Sequence, residues 1–249
     1  MRFSVVHSLV NGLLDLIFPR LCLLCRSPLD PSEPKGNLCP CCARRIEYNH
    51  PSFCEKCSRP VMAGRDPLCR SCRRRALFFD RCWGAVIYND TMRILLHLFK
   101  YGKHTELRRD FSRMMIAFVK KYSIPVHDCD LIIPVPLHRT RFRERGFNQS
   151  GLIALLLARE FQIPCDTTII RRVRHTVNQA RVNSKQRWTN IQGTFTIKHP
   201  DIIINKNILL VDDLLTTGAT LSEISLELKK AGAGSVYGLT TAIAVLKAP

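Results

Sequence analysis

One stretch restricts the fold of this chain more than any other: Ile208-Leu209-Leu210-Val211-Asp212-Asp213-Leu214-Leu215-Thr216-Thr217-Gly218-Ala219-Thr220-Leu221. It opens with four apolar residues, the length and character of a buried parallel strand. Two adjacent carboxylates, Asp212 and Asp213, stand at the strand's carboxyl end. A hydroxyl-rich turn over Thr216, Thr217, Gly218, Ala219 and Thr220 follows. A helix then presents Leu221, Ile224, Leu226 and Leu228 as apolar positions. A strand, a short turn and a helix start form an anion cradle, because the first N–H groups of a helix are unpaired and carry partial positive charge. Gly218 lets the backbone come close to the anion. The threonine hydroxyls add donors, and the aspartates can accept hydrogen bonds from vicinal sugar hydroxyls. Each part alone has a structural reading, as a turn or a helix cap. Their contiguity in this order points to recognition of a ribose 5-phosphate.

The second constraint is cysteine spacing. Eight of the 12 cysteines form four CxxC pairs: Cys22/Cys25, Cys39/Cys42, Cys54/Cys57 and Cys69/Cys72. Each pair suits a zinc knuckle, and two knuckles complete a four-sulfur tetrahedral site. One or two structural zinc ions follow, with a reducing compartment rather than disulfides. Sequential pairing is the favoured arrangement, and a crossed one stays open because sequence does not fix connectivity. The intervening text, Pro28 to Pro34 and Ser58 to Pro67, is rich in proline, serine and charge. It predicts no hydrophobic core, so metal must supply the folding free energy. Cys41 is a spare beside Cys42; Cys82, Cys129 and Cys165 read as buried thiols. Four thiolates per metal is a closed pattern, so the module reads as architecture or as a contact for nucleic acid or a partner. Arg70, Arg73, Arg74 and Arg75 at its end are either phosphate contacts or a solvated basic linker.

These features divide the chain into an amphipathic helix over residues 1–18, a double zinc ribbon over 19–80 and an α/β domain over 81–249. No run of apolar residues is long enough to span a membrane. Within the last segment, strands are predicted at Trp83 to Tyr88, Leu131 to Val135, Thr168 to Ile170, Gly193 to Ile197 and Ser235 to Ala244. Helices are predicted at Thr91 to Phe99, Glu106 to Tyr122 and Gln149 to Phe161. Pro134 and Pro136 are expected to interrupt pairing of the second strand. Two basic loops are expected beside the cradle. The first carries Arg139, Arg141, Arg143 and Arg145; the second runs from Arg171 to Asn190 as a flap with Gln179, Arg181, Lys185 and Arg187. Between Arg139 and Asn190 there are eleven Lys or Arg against three Asp or Glu, so much of the net charge of +18 sits in these loops. Such a surplus favours polyanions: nucleic acid, acidic surfaces or a polyphosphate substrate.

With these residues in view, the chain resembles the ComF (competence protein F) family, which includes amidophosphoribosyltransferase-like relatives. The likeness covers nearly the whole length. It lies in the N-terminal CxxC pairs, Phe99-Lys100-Tyr101-Gly102, Ile133-Pro134-Val135-Pro136-Leu137-His138, Arg139, Arg143, Arg145-Gly146-Phe147-Asn148-Gln149-Ser150, Gln179, Arg187, Asn190, and Val211-Asp212-Asp213 with Thr216 to Thr220. The last of these resembles the PRPP motif of type I phosphoribosyltransferases. The resemblance implies a type I phosphoribosyltransferase-like parallel sheet flanked by helices, preceded by a small four-cysteine zinc-ribbon module. It implies PRPP as ligand, with magnesium held largely by the diphosphate and ribose hydroxyls. Asp212 and Asp213 would hold the ribose, and Thr216, Thr217, Gly218, Ala219 and Thr220 the 5-phosphate. Arg139, Arg143 and Arg145 would take the pyrophosphate side, with Lys100, Lys103, Asn148, Gln149 and Arg187 as further loop candidates. The resemblance further implies a cytoplasmic role in DNA uptake during natural transformation, met at the inner face of the membrane, with single-stranded DNA and DNA-uptake or recombination proteins as partners. No residue stands out as a general base for an acceptor. Two alternatives accompany the transferase reading: a non-catalytic sensor of PRPP or nucleotide, and a zinc-dependent adaptor.

Overall fold

The computed structural model describes residues 20–30, 36–62, 64, 66–174 and 184–245. The expected helix over residues 1–18, and Gln179 and Arg181 of the flap, lie outside them. Four parallel strands form the central sheet in the order β1-β6-β5-β2, with β1 at Arg81–Ile87, β2 at Leu131–Pro134, β5 at Ile208–Leu215 and β6 at Val236–Ile243. Parallel strands covered on both faces should be apolar throughout. Ile208, Leu209, Leu210 and Val211 are accordingly all buried. Alternate residues serve opposite faces: Leu209 and Val211 join the core under two helices, while Ile208 and Leu210 join the core on the other side.

On the first face lie α4 (Leu107–Lys121) and α6 (Gln149–Phe161). Phe111, Met115 and Phe118 of the former and Ile153, Ala154 and Leu157 of the latter pack there. On the second face lies α8 (Ala219–Lys230), with Leu221, Ile224 and Leu228 inward. Beside it sits a two-stranded antiparallel sheet of β3 (Ile170–Arg172) and β4 (Phe195–Ile197). The preceding helix α3 (Asp90–Tyr101) starts at Asn89, whose side chain accepts from the Met92 N–H at 3.0 Å, and it buries Met92, Leu95, Leu96 and Phe99.

The sheet ladder runs past Pro134, contrary to the sequence expectation: Pro134 pairs in register with Val211, and the Val135 N–H donates to the Val211 carbonyl at 2.9 Å. The reason is directional. The backbone groups of Ile132 face the other way, to Pro164 and Asp166, so the N–H that Pro134 lacks would point past the end of that neighbour rather than into β5. The first basic stretch is a helix rather than a loop, α5 (Arg139–Arg145), closed by Gly146 at φ +81°. The flap region likewise contains helix α7 (Ser184–Ile191).

The cysteine module sits on β1. Two very short helices, α1 (Pro40–Ala43) and α2 (Arg70–Arg74), each begin directly after a ligand cysteine, Cys39 and Cys69. The two halves repeat one design. In each, an antiparallel bridge (Leu21 with Pro28, Phe53 with Pro60) closes a knuckle whose turn residue has positive φ (Arg26, Ser58). This structural repeat is less visible in the sequence, where only the CxxC pairs recur. Residues 47–49 add to the outer edge of β1: the Ile87 N–H donates to Glu47 and the Asn49 N–H to Ala85. That cover removes an open sheet edge. The segment read as a coreless linker, Ser58 to Pro67, begins with two buried residues: Ser58 is inaccessible and Arg59 is 4% exposed.

Candidate functional site

Consecutive crossovers decide where the site lies. The chain leaves β2 toward α6 on one face and leaves the adjacent β5 toward α8 on the other. Helices that depart in opposite directions from neighbouring parallel strands open a crevice at the strands' carboxyl ends. A cavity of about 710 Å³ opens there, with Asp212 and Asp213 on its floor. Thr216, Gly218, Ala219 and Thr220 form one wall, and Val135 to His138 face them. Gly218 stands at φ +83° directly before α8, in the conformation that brings the backbone close to a ligand.

Asp213 is buried and ion-paired with Lys100, which reaches in from the end of α3. Asp212 accepts from the Ser150 hydroxyl and from the Asp213 N–H, both at 2.9 Å. Burial and the neighbouring Asp213 charge push the Asp212 carboxyl up to about 7; Lys100 and the two hydrogen bonds oppose that rise. Arg141, Arg145 and Arg172 also line the cavity, Arg172 close enough to Asp212 to interact with it electrostatically. Burial depresses the Arg172 guanidinium, with Asp212 opposing and Arg141 adding to the effect. Arg145 is held by Gln149 Oε1 and Tyr101 Oη, each at 2.9 Å, with its guanidinium 4.8 Å from the Tyr101 ring centre. Its Nε is buried without a hydrogen-bond acceptor among the described residues.

The predicted site residues therefore separate. Asp212, Asp213, Thr216, Gly218, Ala219, Thr220, Lys100, Arg145 and Gln149 share the cavity. Thr217 lies beside it, its hydroxyl accepting from the Ala219 N–H at 3.3 Å. Asn148 caps α6 and donates to the Val135 carbonyl at 3.1 Å, so it fixes the β2 exit. Arg139 and Arg143 are exposed and absent from the lining, whereas Arg141 lines it. Lys103 is exposed at φ +58°, beyond the end of α3. The side chain of Arg187 lies outside the described residues. Ser150 and Arg172 were not singled out as ligand-facing from the sequence; Ser150 was visible only as the last residue of the Arg-Gly-Phe-Asn-Gln-Ser run.

The cysteines form two separate clusters, Cys22/Cys25/Cys39/Cys42 and Cys54/Cys57/Cys69/Cys72, with the four sulfurs of each within 4.8 Å of one another. This is the sequential pairing. A zinc ion with Zn–S bonds of about 2.3 Å needs neighbouring sulfurs about 3.8 Å apart in a tetrahedron. Cys25 and Cys39 stand at 3.6 Å and Cys57 and Cys69 at 3.7 Å. Both donor sets therefore fit zinc. Cys41 is exposed and belongs to neither cluster; Cys82 and Cys129 are buried, and Cys165 is half-buried.

Comparison with known proteins bears on both modules. A double zinc ribbon domain matches residues 13–77, and a phosphoribosyl transferase domain matches residues 149–245. Competence protein F of Haemophilus influenzae is 31% identical over 231 residues, covering 89% of this chain and 96% of that protein. The chain belongs to the ComF (competence protein F) family. Other ComF-like relatives include DNA utilization protein YhgH of Salmonella typhimurium, 30% identical over 89% of this chain and 96% of its own. Competence protein ComFC of Bacillus subtilis is 28% identical over 81% and 85%. The solved structure of a purine phosphoribosyltransferase from Pyrococcus horikoshii aligns at a TM-score of 0.32 and 20% identity, over 55% of this chain and 73% of its own. The phosphoribosyltransferase-like fold of this ComF-family chain rests on the domain match and on its parallel sheet. Among its described residues, no helix is long and apolar enough to cross a membrane.

Proposed function

We propose that this chain binds PRPP with magnesium in the β2/β5 crevice and acts on incoming DNA in the manner its relatives' names indicate, with single-stranded DNA as a contact. The observation that carries the ligand is the Asp212–Asp213 pair on the floor of a cavity lined by Lys100, Arg141, Arg145 and Arg172. Carboxylates suit the ribose hydroxyls, and fixed guanidinium forks suit a diphosphate. Asp213 is ion-paired with Lys100 and Asp212 accepts from Ser150 through one oxygen, so the second Asp212 oxygen remains for a ribose hydroxyl or a magnesium ion. A magnesium ion arriving with the ligand's phosphates would neutralise charge on the leaving diphosphate. Transfer at C1 passes through an oxocarbenium-like state, so the protein's contribution is anchoring both phosphates while that bond lengthens. Calorimetry with Mg·PRPP tests the binding, and pyrophosphate release with and without acceptors tests turnover. Binding without release under any acceptor makes the chain a sensor; no binding at all removes the reading.

Affinity for PRPP is expected to strengthen as pH rises through about 7, where Asp212 loses its proton and becomes the better acceptor for ribose hydroxyls. The same proton stabilises the unliganded fold in acid. The folded carboxyl keeps it up to about pH 7, while the unfolded one releases it near the usual carboxylate value, so this contribution falls as pH rises through that window. PRPP's own phosphate titration is removed by comparison with Asp212→Asn, which should flatten the profile. Parallel profiles for the two proteins would exclude Asp212 as its source.

For DNA, the net charge of +18 supplies attraction. Arg70, Arg74 and Arg75 are exposed at the end of the ribbon, with the Arg75 guanidinium 5.0 Å from the Trp188 ring centre. Phe142 is 49% exposed, whereas Phe147 is half-buried and packs against the core, its ring 5.8 Å from that of Phe99. Single-stranded oligonucleotide affinity is expected to fall about 300-fold between 50 and 200 mM salt if six phosphates are neutralised. Fluorescence anisotropy at several salt concentrations measures this slope; a flat one would rule out phosphate contacts as the basis of binding.

A further inference from the structure

Arg59 lies outside the cavity lining, yet its buried guanidinium joins three separate parts of the molecule. Nε donates to the Ala244 carbonyl at 2.9 Å, just past the end of β6. Nη1 donates to the Cys57 sulfur at 3.2 Å, inside the second four-cysteine cluster. Nη2 donates to the Thr216 carbonyl, in the turn that forms the phosphate wall. Only a planar fork with donors in several directions serves three such acceptors; a lysine ammonium does not have that geometry.

The repeat within the ribbon sharpens the point. The position two residues after the second cysteine of the first knuckle is Ser27, and it also meets that cysteine: the Cys25 thiol donates to the Ser27 hydroxyl at 3.3 Å. There the contact stays local and exposed. In the second knuckle the equivalent residue is Arg59, long enough to pass through the interface and grip the loop.

The peptide plane gives this grip a consequence. Across a trans peptide the carbonyl and the following N–H point in opposite directions. Holding the Thr216 carbonyl toward the ribbon therefore turns the Thr217 N–H to the opposite side of a turn whose neighbours Thr216 and Gly218 line the cavity. Charge gives the grip its anchor. A buried guanidinium needs a compensating negative charge, and four thiolates around one zinc ion, when bound, carry a net charge of about −2.

We propose that Arg59 is a positioning residue that couples the second four-cysteine site to the phosphate turn, aligning the Thr216–Thr217 peptide so that its N–H faces the bound phosphate. The affinity part rests on the PRPP reading; the alignment of the turn does not. The test uses the full-length, zinc-loaded chain and its Arg59→Met and Arg59→Lys variants. Amide hydrogen exchange is followed over residues 216–222, where the Ala219 N–H donates to Thr217 Oγ1 and the Ser222 N–H to the Gly218 carbonyl, with residues 131–133 of β2 as internal reference, alongside PRPP calorimetry and zinc content. In both variants, exchange in the turn is expected to rise at least tenfold with the β2 reference unchanged and two zinc ions per chain retained. PRPP affinity should fall about tenfold. Unchanged exchange in the turn of either variant overturns the coupling. So does loss of protection at the β2 reference in both variants, which would make Arg59 a support of the whole fold. If the wild-type chain does not bind PRPP, the ligand reading fails by itself, and the exchange data still decide the coupling.

Discussion

Replacing Asp213 with alanine is expected to weaken PRPP binding at least a hundredfold while leaving zinc content and the circular-dichroism spectrum unchanged. The carboxylate is buried at the end of β5, where its backbone is fixed by the sheet, so no neighbouring group can move in to replace it. A ribose seated there makes hydrogen bonds to an ionised acceptor, each contributing roughly 1.5–3 kcal/mol. Losing two of them costs about 3 kcal/mol at the low end, and 1.4 kcal/mol is a factor of ten. The unpaired partner softens the cost to folding: the Lys100 side chain is 20% exposed and can swing its ammonium into water. Asp213→Asn keeps the shape and removes the charge, so it should lie between wild type and alanine. Asp66→Ala, which removes a surface pair with Arg73 at 2.9 Å, is the control and should leave binding unchanged. Calorimetry on the four proteins measures the series. Wild-type affinity in Asp213→Ala would place the ribose elsewhere.

The cradle was legible in the sequence because its parts are contiguous: strand, carboxylates, turn and helix follow one another within Ile208 to Leu221, and local geometry alone joins them. The cysteine ligands were legible from their CxxC spacing, but their pairing was only favoured, because connectivity depends on how the knuckles fold together; the two clusters resolve it as sequential. The arginines were not. Four of them at alternate positions read as one basic loop, but a helix turns about 100° per residue. Arg141 and Arg145 therefore share one face, and Arg139 and Arg143 share a nearly opposite one. Only the first pair reaches the cavity. The missing signal was the helix start, a His138 side chain accepting from the Thr140 N–H at 3.3 Å, and the Gly146 stop. Arg172 and Arg59 failed for a different reason. Both act at a distance along the chain, Arg59 on Thr216 and Ala244, and no local pattern marks a charged residue that a distant carbonyl will bury. Arg59 in particular stands between Ser58 and Pro60, where composition alone indicates a solvated turn.

Zinc removal is expected to occur in two steps of one equivalent each, with the structural loss confined largely to the second. Of the buried apolar residues described between positions 20 and 77, every one except Ile46 is a cysteine of a metal cluster. The ribbon thus has almost no core of its own, and apparent metal affinities of about 10–16 kcal/mol per structural site are the main source of its folding free energy. The two sites differ in access. The first includes Cys25, which is exposed, whereas Cys54, Cys57 and Cys72 of the second are buried. The second is also tied to the α/β domain by the Cys82 N–H bond to Lys56 and by Arg59. A chromogenic chelator should therefore draw one zinc quickly and the other slowly. Release of the second frees Arg59 from Ala244 and Thr216 and, through the Asn49 bond to the Ser58 carbonyl, loosens residues 47–49 from β1, uncovering its edge near Trp83, which is 2% exposed in the intact fold. An uncovered edge strand pairs with other copies. In a Trp188→Phe background, which leaves Trp83 as the one tryptophan, the slow step should accordingly coincide with a Trp83 fluorescence change, dye binding and light scattering, and the fast step with none of these. Cys25→Ser should abolish only the fast step and Cys57→Ser should destabilise the whole chain. Release in a single phase would show that the two sites open together, and loss of both ions with the Trp83 signal intact would show that the ribbon is held by its packing on β1 and not by its metal.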